Sequence, residues 1–129
     1  MAASAVAVVL SLFVVAGLVY DGGLILAAHR RAFNEAAAAA RAGTQAISAT
    51  TLAGGGAVDT DPARAEAAAQ AYLAATGHAG SVVVQGDMVE VTVSIPYQTT
   101  ILGAVGMGET TVTGTGRSHA RRGVTQAEP

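Results

Sequence analysis

The sequence contains no cysteine and no tryptophan, and all of its basic residues are arginine. Without cysteine, disulfides, thiolate metal sites and cysteine nucleophiles are excluded, while the compartment stays open because cysteine-free domains occur on both sides of a membrane. Aromatic residues make up only 4% of the chain although 51% is hydrophobic, so the apolar content falls mainly on alanine and valine. Such small side chains suit close helix packing better than a bulky core. Charged residues are also sparse, at 12%, and the net charge of -2 is spread along the chain. No basic stripe exists to neutralise phosphates, which argues against a nucleic-acid partner. A chain of 129 residues holds one small domain, with roughly 100 residues left once a membrane segment is set aside. A large enclosed active site is not expected.

Against this background one stretch stands out. Residues 2–20, AASAVAVVLSLFVVAGLVY, carry no charge and only two polar side chains, Ser4 and Ser11. Their length matches the roughly 20 residues of one bilayer crossing. A second apolar patch at residues 24–28 precedes His29-Arg30-Arg31, placing the boundary between Tyr20 and His29. A cleaved secretory signal is the alternative, but it calls for a basic segment ahead of the apolar run, and nothing basic occurs before position 29. The anchor is therefore preferred. Beyond it, AFNEAAAAARAGTQAIS is alanine-rich and free of proline, so the helix should continue to about Leu52, for a length of roughly 75 Å. Arg31 and Glu35, four apart, read as an ordinary surface pair worth about 0.2–0.5 kcal/mol. With Phe33, Ile47 and Leu52 as its few large apolar residues, this rod needs neighbouring helices or its own C-terminal domain.

Gly54-Gly55-Gly56 should break the helix. A second helix then starts at Asp61-Pro62, an N-cap followed by the residue that best tolerates the first helical position, and stops at Gly77. Ala68, Tyr72 and Ala75, with Leu73 beside them, mark its expected buried face. Residues 81–85 and 88–95 flank the turn pair Gly86-Asp87 and read as a β-hairpin. In the second of these runs Val89, Val91, Val93 and Ile95 alternate with polar residues, giving one buried and one wet face. Pro96 is expected to end that strand. Residues 110–120, alternating Val112, Gly114, Gly116 and Ser118, offer a third strand.

The chain is thus read as α+β: a long N-terminal transmembrane helix (residues 1–53), a glycine-rich linker (54–60), a small exported domain of one helix packed on an antiparallel sheet of about three strands (61–120), and a flexible tail (121–129). His29, His78 and His119 lack metal-site spacing and read as solvated. Gly103, Gly106 and Gly108 do not form a phosphate-binding fingerprint, and no nucleophile elbow occurs, so no catalytic, cofactor or metal residue is assigned and an enzyme is not expected. Two features rise above this. Asp21 sits at the edge of the apolar run beside Gly17, Gly22 and Gly23. A carboxylate there either stops the span at the interface or makes a polar contact with another helix that the glycines let approach. The connection at residues 99–108, with Ile101, Leu102 and Val105, is apolar for a loop; it is either core or an exposed docking patch.

The stretch AGLVYDGGLILAAHRRAFNEAAAAARAGTQA (residues 16–46), with the strand, apolar turn and closing strand at 89–93, 99–103 and 111–116, resembles the TadE/TadG-like proteins of the tight-adherence (Flp) pilus system. These are bacterial pilin-like proteins with an N-terminal anchor. The resemblance implies a structural role, as a minor pilin or pilus-assembly subunit, with no catalytic residues to carry over and with membrane lipid and other pilin-like or assembly proteins as partners. It also implies a head outside the cytoplasmic membrane, whereas Arg30 and Arg31 just after the span favour the opposite orientation. One departure is that processed pilin-like members carry a glutamate near the start of the mature helix, while the first acidic residue here is Asp21. A chain that begins near its mature end, or a simple anchored relative, would account for that. The alternative function is a generic single-pass anchored surface or adaptor domain that binds an unknown protein partner.

Overall fold

A computed structural model describes residues 2–53 and 61–120, with the side chains of 48–53 and 105 outside that set. The expected linker and tail, at 54–60 and 121–129, lie outside the described residues. A single helix, α1 (Ala2–Ala53, 52 residues), opens the chain. Alanine carries the highest helix propensity and no proline interrupts, so the helix runs from the apolar stretch through the polar one without a break. It is long and apolar enough to cross a membrane.

The second helix, α2 (Pro62–Thr76), is bounded as the local signals predict. The Asp61 side chain accepts from the N–H groups of Ala63 and Arg64, Pro62 takes the first position, and Gly77 closes the helix in the left-handed conformation at φ 75°. Its buried face differs from the expected one: Ala65, Ala69 and Leu73 are buried, while Tyr72 and Ala75 are exposed and Ala68 is half-buried. Both stripes have helical spacing, and a helix with alanine nearly all round offers no contrast to choose between them. Leu73 wins because it fits over the side-chain-free Gly80, where an added Cβ would lie 2.8 Å from Leu73 Cδ1.

Three antiparallel strands, β1 (Ala79–Gln85), β2 (Met88–Gln98) and β3 (Glu109–His119), form a sheet in the order β1-β2-β3. Gly86, at φ 60°, supplies the two-residue turn between Gln85 and its partner Met88. Pro96 does not end β2, which continues to Gln98 paired with β3. The reason lies in the neighbouring strand: β1 starts at Ala79 opposite Ser94, so beyond Ser94 no third strand needs the missing N–H.

One sheet face is covered by both helices and the other is polar. Val89, Val91, Val93 and Ile95 from β2 are buried with Val112 from β3, against Ala32, Ala36, Ala39, Ala40 and Ile47 of α1 and the apolar stripe of α2. The opposite face carries Glu90 paired to Arg117, and Thr92 beside Thr115 with their hydroxyls 3.3 Å apart. Where α1 crosses β3 the inward positions are Gly114 and Gly116. A Cβ on Gly114 would lie 2.3 Å from the backbone N of Phe33, and one on Gly116 equally close to that of Ala37. The helix backbone therefore rests directly on the strand. Small residues face small residues, which explains how a domain so poor in aromatics closes a core.

Candidate functional site

The two halves of α1 live in different surroundings. Between residues 2 and 20 only Gly17 is buried, and Val6, Leu10, Phe13 and Val19 are all more than half exposed. Between Ala32 and Ile47 one face of the helix is buried against the head. Asp21 marks the join, and its relative exposure is 0%.

What surrounds Asp21 is a loop of its own chain. Residues 99–108 leave β2, form a short 3-10 turn, η1 (Leu102–Val105), and return to β3. The loop is closed by the Thr99 N–H donating to the Gly108 carbonyl at 3.1 Å, by the Thr99 hydroxyl donating to the Met107 carbonyl, and by the Met107 N–H donating to the Leu102 carbonyl at 3.0 Å. That closure aims three consecutive amides outward at one point. The Asp21 carboxylate fills it: Thr100 N–H donates to Oδ1 at 3.2 Å, and the N–H groups of Ile101 and Leu102 donate to Oδ2 at 2.9 and 2.7 Å. An unpartnered buried carboxylate costs several kcal/mol, and three charge-assisted bonds answer that cost. The donors belong to the open end of the 3-10 turn, which has no side-chain cap from its own N-cap residue.

One turn before Asp21 on the same helix face, Gly17 lies under Ile101. An added Cβ there would sit 2.3 Å from Ile101 Cγ2. Structure thus brings together Asp21, Gly17, Ile101 and Leu102, and sets Gly22 and Gly23 apart, since nothing lies within 4 Å of a Cβ on either. Val105 belongs to the same loop through its backbone. Within the loop, Leu102 is half-buried, while Ile101 keeps 42% and Met107 68% of its surface exposed. Of the readings weighed for Asp21, neither named the partner it has, a loop 79 to 81 residues further along the chain. Tyr97, at the end of β2, belongs to the same neighbourhood. Its phenol is pushed above its usual value by burial, then by the charge of Asp21 and by Tyr20.

A second polar cluster went unread in the sequence. Glu35 accepts from Arg31 Nε at 2.8 Å and lies 2.7 Å from His78 Nδ1, joining α1 to the α2–β1 junction. Glu35 thus also reaches beyond α1, and His78, expected to be solvated, is part-buried; the cluster leaves Glu35 13%, His78 19% and Arg31 66% exposed. Burial alone would push the Glu35 carboxyl up. The hydrogen bonds and charges of Arg31 and His78 outweigh it and hold the group below its usual value. No local spacing could have found this pair, which is 43 residues apart.

Chemically, the join offers a buried carboxylate held by three backbone N–H donors of its own chain. Such an arrangement fixes the geometry of the loop against the helix. Among the described residues no group of three histidine or acidic side chains is placed to hold a metal. Comparison with protein-family models, curated proteins and solved structures finds no match.

Proposed function

We propose that this chain is a structural, single-pass membrane-anchored subunit of pilin-like type, a minor pilin or assembly component of a tight-adherence type pilus with its head outside the cytoplasm. The observation that carries the reading is the single helix itself: 52 residues without a break, bare and apolar in one half and bound to an α+β head in the other. A subunit of this design packs its bare half among lipids or other helices and displays its head as a fixed extension. The Asp21 contact supports the same reading, because it ties the head to the helix at the point where the apolar run ends. The resemblance of residues 16–46 to TadE/TadG-like proteins supplies the pilus context. The role is structural, and recognition rests on packing.

Fractionation of the tagged full chain into soluble, membrane and sheared-filament pools tests the reading. The expected result is retention in carbonate-washed membranes with co-extraction of pilus or assembly proteins through the helix. Recovery in the soluble pool removes the anchor. Membrane retention with a head that captures its partner without the helix replaces the pilin-like reading by an anchored adaptor.

A further inference from the structure

We infer that the loop at residues 99–108 is a second lipid contact, which rests its exposed apolar side chains on the bilayer surface beside the helix. The inference rests on the anchored reading above and adds to it a part of the head. Three observations meet here.

The first is depth. Ile101 packs on Gly17, which lies inside the uncharged run and one turn short of its end at Tyr20. Residues 2–20 span about 28 Å at about 1.5 Å per residue, close to the roughly 30 Å hydrocarbon thickness of a bilayer. Gly17 lies within about 5 Å of that end along the helix axis, which sets the loop at the interface between hydrocarbon and headgroups. The second is surface chemistry. Residues 99–108 carry no charge, Ile101 and Met107 keep 42% and 68% of their surface exposed, and Ile101 lies against the apolar half of the helix at Gly17. Tyr20, 56% exposed at the same level, is an aromatic of the kind enriched at membrane interfaces. The third is backbone bonding. Irregular backbone near lipid must satisfy its polar groups internally. The N–H groups of Thr99, Ala104, Gly106 and Met107 all donate within the loop, and those of Thr100, Ile101 and Leu102 donate to Asp21. These seven N–H groups are thus bonded within the protein, which lowers the cost of setting the loop against lipid. Asp21 thereby gains a second role: its carboxylate takes up amides that lipid could not serve.

The test uses the full chain reconstituted in vesicles of phosphatidylcholine and phosphatidylglycerol. The absence of native cysteine lets a nitroxide be attached through Met107→Cys alone. Leu10→Cys, in the apolar half of α1, and Thr115→Cys, on the exposed face of β3, serve as lipid and water references. The expected result is a several-fold lower collision rate with a water-soluble nickel complex at position 107 than at 115, with oxygen collisions raised toward those at position 10. Nickel access at 107 equal to that at 115, while position 10 reports lipid, overturns the inference and leaves the anchor standing. Shielding of 107 from both nickel and oxygen overturns it in favour of a protein, such as a second copy, covering the loop. Nickel access at position 10 itself removes the anchored reading and this one together. Ile101→Cys gives an independent second reading at the same depth.

Discussion

The two halves of α1 share alanine and freedom from proline but differ in the rest of their alphabet, and they behave oppositely: residues 2–20 are uncharged and rich in valine and leucine, while residues 32–47 lack both and include Glu35 and Arg41. The first half, with the larger apolar side chains, is exposed almost throughout, while the alanine-rich second half is the spine of a folded domain. The difference lies in what faces them. The second half meets Gly114, Gly116, Val89 and Val91, surfaces with the side chain removed or evenly branched, so alanine and backbone settle close enough for dispersion contacts to add up. Among the described residues, the first half has only Gly17 buried, where the loop at 99–108 meets it. Alanine content alone does not make a helix buried; a matching glycine on the partner does.

The largest break in this comparison should come from Gly116→Val. The added side chain would be driven into the backbone of α1, which cannot turn aside as a side chain can. The expected loss is at or above the top of the usual overpacking range of about 1–3 kcal/mol. In detergent, the cooperative melt of the head should fall steeply while the helical signal of residues 2–20 survives; an unchanged melting temperature would mean that α1 does not rest on β3.

Next in size is Asp21→Ala. It leaves three amides without their acceptor, but Thr100 and Ile101 are exposed and can turn to water, so the expected loss is about 1–3 kcal/mol in all. Hydrogen exchange should speed up at Thr100, Ile101 and Leu102 and not at Val91 or Val93. Equal acceleration everywhere would make Asp21 a global core residue and erase the distinction between join and head.

A smaller effect is expected from pH. Glu35 lies well outside the apolar run and is held below its ordinary value of 4.5. A depressed carboxyl contributes stability that is present above that ordinary value and lost as pH falls through the lower folded one. Glu35→Gln should therefore flatten the acid-side decline of the urea midpoint below about pH 4.5 and leave its slope nearer neutrality unchanged. Parallel curves for the two proteins would assign the acid sensitivity to another group. The smallest effect belongs to Gly22→Ala, since nothing lies within 4 Å of the added methyl. The melt of the head should move by no more than the roughly 1 kcal/mol that alanine gains over glycine in a helix, and a large loss would reveal a contact on the face that is open here.

The sequence was legible wherever the signal is local. Asp61-Pro62 and Gly77 bound α2, Gly86-Asp87 places the hairpin, and the valine alternation names the buried face of β2. It was illegible where the deciding partner is distant. Alanine all round α2 hid which face is inward until Gly80 and Leu73 were seen together. Pro96 reads as a stop by its chemistry, and only the length of β1 permits the strand to pass through it. Gly114 and Gly116 look like gaps in a strand pattern until α1 is laid across them. Asp21 could be marked as costly at a membrane edge, but its three donors come from another part of the chain and leave no spacing to read.

The orientation of the head across the membrane bears most directly on the proposed role, because Arg30 and Arg31 favour one side and a pilin-like subunit requires the other. Thr115→Cys creates the sole thiol, on the exposed face of β3. A membrane-impermeant maleimide applied to intact cells stripped of any outer barrier should label it, placing the head outside. Labelling only after the cytoplasmic membrane is opened would put the head in the cytoplasm and contradict the pilin-like account.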